Sequence, residues 1–326
     1  MAEKLLNVNN LTVSMRSGNS SLKIIRGFEL NLSKGEIVGI LGESGSGKTV
    51  SSNMIARIYD ADDGTIDSGS ILFLGDDIRL MGEDDLSDIR GKRISYIFQN
   101  PSQSLNPYKK AGHQLEELLK VHKIESSKKT ILNAMREVGL EKPELVYDMY
   151  PFQLSGGQNQ RIMICQCILM KPDLLIADEP TSSIDAMLRK KILDLLIGMN
   201  KKYGTSIIFI THDFDVARYL CSRLVIMYGG LVVEEGGIDN ILSNPMHPYT
   251  EELIKCSESL DSSEKVLYSL EGRPPAPMEF KDECPFIDRC RYKEESCAEA
   301  IPELMEIDKG KSRCPIRLRR EGENSE

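Results

Sequence analysis

An α/β fold, with a mainly parallel core sheet, follows from three features of the sequence. Beyond residue 36, short apolar runs (Ile37–Leu41, Leu174–Ala177, Ser206–Ile210) alternate with helix-patterned stretches, the order that builds parallel sheets. Residues Leu5 to Lys34 instead alternate apolar and polar around a turn-rich segment, Arg16 to Ser21, which predicts an antiparallel β edge layer. Residues 112 to 140 are charged, with apolar residues three and four apart (Leu115, Leu118, Leu119), which predicts a helical subdomain at about residues 100–170.

Taken in order, the edge layer leads into the strand before residue 42, a helix continues through Val50 to Tyr59, a polar turn covers residues 60–64, and strands follow at Ser70–Leu74 and Gly91–Gln99. After the helical stretch come Leu154-Ser-Gly-Gly-Gln158, a helix through Met170, the strand ending at Asp178-Glu179, a helix from about Ala186, and the strand ending at Thr211-His212. Leu224 to Glu235 reads as short strands, Asn244 to Tyr249 as a break, and Glu271 to Pro277 as an extended linker. The expected domains are therefore 1–265 and a linker with a small Cys-rich extension at 266–326.

Length and charge narrow the function. A chain of 326 residues can bury a full core. Its net charge of −9 argues against a general nucleic-acid binder, which carries a basic surface. No apolar run approaches the ~18 residues that span a bilayer, and the first ten residues hold no apolar signal core, so a cytosolic location is expected.

The run Glu36 to Thr49, EIVGILGESGSGKT, matches G-x-x-x-x-G-K-S/T in full. Gly42, Gly45 and Gly47 lack a Cβ, so the backbone through Glu43, Ser44 and Ser46 can wrap closely and aim N–H donors at a triphosphate. Lys48 then reaches the β- and γ-phosphates, Thr49 offers its hydroxyl to Mg²⁺, and the following helix points its positive end at the same charge. A Walker-type ATPase also needs carboxylates at a strand tip. Asp178 fits the Mg²⁺ position and Glu179 the general base on the attacking water. The phosphate loop, Gln99, Asp178, Glu179 and His212 all follow the carboxyl ends of strands, where such sheets collect ligand groups.

With Leu154-Ser-Gly-Gly-Gln158, these motifs make the chain resemble the nucleotide-binding subunit of ATP-binding cassette (ABC) transporters. The resemblance implies that Ser155, Gly156, Gly157 and Gln158 contact the γ-phosphate of ATP bound to the opposite subunit. It implies that Gln99 contacts Mg²⁺ and water and couples to the membrane subunits, that Asp185 is the D-loop residue, and that His212 is the switch histidine. Two departures stand out: residues Val13 to Arg16, where the family stacks adenine on an aromatic, offer Met15 or an aliphatic neighbour instead, and Asn159 replaces a common arginine.

A narrower resemblance, to the dipeptide/oligopeptide/nickel importer ATPases, rests on residues Phe98 to Pro107, Asn244 to Thr250, and Cys284-Pro-Phe-Ile-Asp-Arg-Cys290. It implies an ATPase driving uptake of peptides, or alternatively of nickel, a metal chelate or another small solute. It further implies a homologous but different ATPase partner, two transmembrane permease subunits, an extracytoplasmic solute-binding protein acting indirectly, and a peripheral place on the cytoplasmic face of the membrane. A soluble ATPase of DNA repair or translation is the remote rival; such proteins carry two cassettes or long coiled-coil insertions, which this chain lacks.

The cysteines are uneven: Cys165, Cys167, Cys221 and Cys256 are scattered, whereas Cys284, Cys290, Cys297 and Cys314 crowd together at spacings C-x5-C-x6-C-x16-C. In a reducing compartment such clustering suggests metal ligation before disulfides. Some of the importer ATPases hold a 4Fe–4S cluster here; zinc, and packing without metal, are the competing readings. The segment has little apolar material, so it is expected to need a staple rather than a core.

Overall fold

The computed structural model describes residues 3–18, 20–59, 64–100, 104–181, 184, 186–261 and 268–317. Residues 60–63 of the turn expected at 60–64, and Asp185, lie outside them. The strands are β1 (Lys4–Ser17), β2 (Ser20–Ser33), β3 (Ile37–Leu41), β4 (Gly64–Phe73), β5 (Asp76–Asp77), β6 (Ile94–Ile97), β7 (Leu174–Asp178), β8 (Ser206–Ile210), β9 (Arg223–Tyr228), β10 (Leu231–Gly237), β11 (Met305–Ile307) and β12 (Gly310–Ser312). The helices are α1 (Lys48–Ala56), α2 (Glu83–Ile89), α3 (Ala111–Val121), α4 (Lys128–Glu137), α5 (Pro143–Tyr147), α6 (Gly156–Met170), α7 (Ala186–Tyr203), α8 (Phe214–Leu220), α9 (Ile238–Ser243) and α10 (Pro248–Asp261).

The chain divides into two compact units. One comprises residues 6–32, 37–79 and 210–326. In it β2, β1, β4 and β5 lie in that order as the edge sheet, with β4 antiparallel to β1 and to β5. Phe28, Leu30 and Leu32 alternate with more exposed neighbours along β2, the period of a sheet with one buried face. A second set runs β11-β12-β10-β9-β3. Here β3 is parallel to β9, while β9, β10, β12 and β11 pair antiparallel in sequence. Every residue of β3 is buried, which is why its pattern is a continuous apolar run.

The other unit comprises residues 1–5, 33–36 and 80–209. Its strands β8, β7 and β6 are neighbours in that order, with β6 parallel to β7 and Ile97 opposite Ala177. Both β7 and β8 are buried throughout. The helical subdomain packs α3, α4 and α5 together, with α3 and α4 also against α6. Leu115 and Leu119 of α3 and Ile131, Ala134 and Met135 of α4 are its buried stripe, the i, i+3, i+4 spacing seen in the sequence. Gly112 allows α3 to meet α5: a Cβ there would lie 2.1 Å from the Tyr147 ring.

The C-terminal segment departs from expectation. It carries an apolar core of its own, with Cys297, Cys314 and Ile316 buried and Cys284 and Ile287 packed on them. Phe286, 1% exposed, fits against Tyr228 and Tyr249 with ring centroids 5.3 and 5.4 Å away. Residues Gly310–Ser312 pair with Glu234–Gly236 of β10, so the segment also extends a sheet. Sparse as its apolar residues are, the aromatic partners they need come from residues 228 and 249, far away in sequence.

Candidate functional site

The phosphate loop leaves β3 at Leu41 and enters α1 at Lys48. A Cβ on Gly42 would stand 2.2 Å from the Met227 carbonyl oxygen, so no other residue fits there. Gly47, at φ 102°, is the cap of α1 and offers no side chain to its first N–H groups, which keeps that helix end available to an anion. Lys48 is buried, and its Nζ donates to the carbonyl oxygens of Gly42 at 2.7 Å and Glu43 at 2.8 Å. The ammonium is thus held at the mouth of the loop, while Thr49 and Ser44 are exposed and Ser46 is buried. The Glu43 N–H donates to the Tyr249 hydroxyl at 2.8 Å.

In the same unit, the Thr211 N–H donates to the Ile40 carbonyl at 3.2 Å, which carries the following His212 to the end of β3. His212 is exposed and lines a cleft with Gly42, Glu43 and Phe214. Asp213 caps α8 by accepting from the N–H groups of Asp215 and Val216 at 2.9 and 3.1 Å. On β1, Met15 is partly buried opposite Gly64.

In the other unit, β7 delivers its acids as expected. Asp178 is 3% exposed, and its Oδ2 accepts from the Tyr96 hydroxyl at 3.3 Å. Glu179 follows at φ 45°, the left-handed region a bulky L-residue avoids, a strain that functional sites accumulate. Its Oε2 accepts from Gln99 Nε2 at 3.0 Å, a pairing that the sequence reading of the two residues did not include. Gln99 reaches it because β6 runs parallel to β7 in register.

The signature opens α6. Ser155 Oγ accepts from the Gln158 N–H at 3.3 Å, and Gln158 Oε1 accepts from the Ser155 N–H at 2.9 Å, a reciprocal capping box. Ser155 and Gly156 are exposed, and a Cβ added to Gly156 would meet nothing within 4 Å. At Gly157 it would lie 2.9 Å from Leu188 Cδ2. Asn159 is buried and donates to the Pro151 carbonyl at 3.0 Å, bracing the turn before the helix.

Thr49 in one unit, and Asp178 and Gln99 in the other, each offer an oxygen donor of the hard type that Mg²⁺ takes. The four C-terminal cysteines converge. Burial pushes the Cys284 thiol up to about 12, and the sulfurs of Cys297, Cys290 and Cys314 are close enough to raise it further. Cys290 and Cys314 are raised for the same first reason, burial. Raised pKa values keep these thiols protonated at neutral pH, whereas ligation needs thiolates. Among the described residues, no group of three or more His, Cys, Asp or Glu side chains is arranged to hold a metal ion. The donor type and convergence fit a cluster; the arrangement does not reach ligand geometry.

Several contacts lay beyond sequence reasoning. Arg289 pairs with the Glu43 carboxylate across 246 residues, and Tyr249 and Tyr96 hold the loop and Asp178. The capping box had a signal, the Ser-x-x-Gln spacing of residues 155–158.

Comparison with known proteins closes the assignment of class. Residues 25–182 match the ABC transporter family, and residues 233–297 match the C-terminal region of oligopeptide/dipeptide transporters. The chain belongs to the ABC transporter family, as an ATP-hydrolysing, ATP-binding subunit of its oligopeptide/dipeptide branch. It is 41% identical over 276 residues to the oligopeptide transport ATP-binding protein OppD of Bacillus subtilis, covering 83% of this chain and 77% of that one. It is 36% identical over 321 residues to the dipeptide transport ATP-binding protein DppD of Haemophilus influenzae, covering 98% and 97%. Among solved structures it resembles the dimeric ATP-binding cassette MJ0796 bound to ADP and Pi, with TM-score 0.65, 28% identity, and coverage of 72% of this chain and 99% of that one. Among the described residues, no helix is long and apolar enough to cross a membrane.

Proposed function

We propose that this chain powers the import of peptides, working from the cytoplasmic face of the membrane as a peripheral subunit bound to two permease subunits and supplied by a solute-binding protein. The names of its relatives and the match at residues 233–297 support that substrate class. ATP binds the phosphate loop through the backbone of residues 42–47 and Lys48, and Ser155, Gly156 and Gly157 close over the γ-phosphate of ATP bound to a second, homologous ATPase subunit. Mg²⁺, when bound through Thr49, Asp178 and Gln99, supplies Lewis acidity toward the phosphate oxygens. Glu179 orients and deprotonates the attacking water, Gln99 holds that carboxylate in place, and His212 reaches the γ-phosphate. Asp185 serves the contact between subunits.

The observation that supports this reading most directly is the Gln99–Glu179 hydrogen bond at a strained backbone position, which restrains the carboxylate read as the base. Glu179→Gln keeps the shape and removes the base. ATP binding should persist while hydrolysis by the assembled importer falls about 10²- to 10⁴-fold. Hydrolysis at the parent rate would show that another group takes the proton.

The convergence of Cys284, Cys290, Cys297 and Cys314 favours a second reading, that they hold a 4Fe–4S cluster when loaded. Its iron would lower the thiol pKa values and so favour the thiolates that ligation needs. Anaerobically purified protein should then be brown, lose colour on any of the four Cys→Ser changes, and contain iron and sulfide; stoichiometric zinc without iron would assign a zinc site, and neither metal would leave packing.

A further inference from the structure

The phosphate loop is tied to the C-terminal segment by a charged pair that the mechanism above does not use. Arg289 lies in the short 3₁₀ turn Ile287–Arg289, one residue before Cys290. Its guanidinium donates to both carboxylate oxygens of Glu43, at 2.7 and 3.1 Å. The arginine side chain is 6% exposed and the glutamate 24%. Charges so far from water persist only when their remaining hydrogen-bonding capacity is met. It is: the guanidinium also donates to the Glu271 carbonyl at 2.9 Å and the Tyr228 hydroxyl at 3.2 Å. Burial works against its charge, and the bonds to Glu43 and Tyr228 outweigh it, holding its pKa above that of an ordinary arginine.

Glu43 is therefore fixed at three points. Its N–H is bound by Tyr249, its carbonyl by Lys48 Nζ, and its carboxylate by Arg289. Tyr249 and Arg289 are backed by the same buried ring, Phe286 of the C-terminal segment, at centroid distances of 5.4 and 6.0 Å. A glycine-rich loop binds phosphate well only if its ordering is met before the ligand arrives. Gly42, Gly45 and Gly47 give the loop its cradle and also its freedom to leave it.

We propose that Arg289 is a positioning residue for nucleotide binding: by holding the Glu43 carboxylate it keeps the phosphate loop in its cradle conformation, so ATP affinity depends on the C-terminal segment. This rests on reading residues 42–49 as the ATP phosphate site.

The test is calorimetric titration of the full chain with ATP at fixed Mg²⁺, alongside thermal unfolding. Arg289→Met and Glu43→Ala should each weaken binding between about fivefold and about a hundredfold, the usual range for coupled sites. The double variant should bind no more weakly than either single one, since both remove one clamp. Arg289→Lys should recover part of the loss. In the assembled importer Arg289→Met should raise KM for ATP and leave kcat near parent, a split that a general loss of structure would not give. If Arg289→Met does not fold, Glu43→Ala carries the same test from the loop side. Parental affinity in either folded single variant, or losses that multiply in the double, would overturn the clamp while leaving the loop assignment intact. A parent chain that does not bind ATP would overturn both.

Discussion

Two glycine-bearing helix starts in this molecule, both proposed above to meet phosphate, are finished differently. The loop before α1 is buried at Ser46, Gly47 and Lys48, with its neighbouring carbonyls, N–H and carboxylate bound by groups of the same unit. The start of α6 is exposed at Ser155 and Gly156, holds its shape by a box between Ser155 and Gln158, and leaves the Gly156 face open. Both ends carry the helix dipole. The first has its walls supplied by its own chain; the second leaves one face open, which is what the proposed nucleotide shared by two subunits would require.

Three substitutions can break or sharpen that contrast. Lys48→Ala should have the largest effect, weakening ATP binding by the isolated chain about a hundredfold, because a buried charged partner of the phosphates is lost; unchanged affinity by calorimetry at fixed Mg²⁺ would sink the phosphate-site assignment. Gly156→Glu should leave ATP affinity of the isolated chain within about twofold of the parent yet cut hydrolysis in the assembled importer about tenfold or more, through like charge against phosphate. Equal loss in both assays would mean the signature belongs to its own chain's site. Ser155→Ala should be mildest, costing about 1 kcal/mol of stability through the lost cap, read as a fall of a few degrees in Tm. Hydrolysis lost with Tm untouched would place the hydroxyl on nucleotide rather than on Gln158.

The contrast also explains what could be read from the sequence. The phosphate loop was legible because its chemistry needs contiguous residues at fixed offsets, and β3, β7 and β8 because strands buried on both faces are written as unbroken apolar runs. Gln99 and Glu179 were legible one by one, but their bond depends on the parallel register of β6 and β7. The clamp on Glu43 was not legible, since no spacing relates residue 43 to Tyr249 or Arg289. The core of the C-terminal segment was missed for a related reason: Phe286 and Ile316 are too few to suggest one until Tyr228 and Tyr249 are brought beside them.

The 246 residues between Glu43 and Arg289 also measure time. At translation rates on the order of 5–20 residues per second, roughly ten to fifty seconds pass between synthesis of the loop and synthesis of the arginine that grips it. For that interval the nascent chain carries all of residues 42–49 without the charged partner of Glu43, and the contact that fixes its carboxylate can form only after residue 289 has been made.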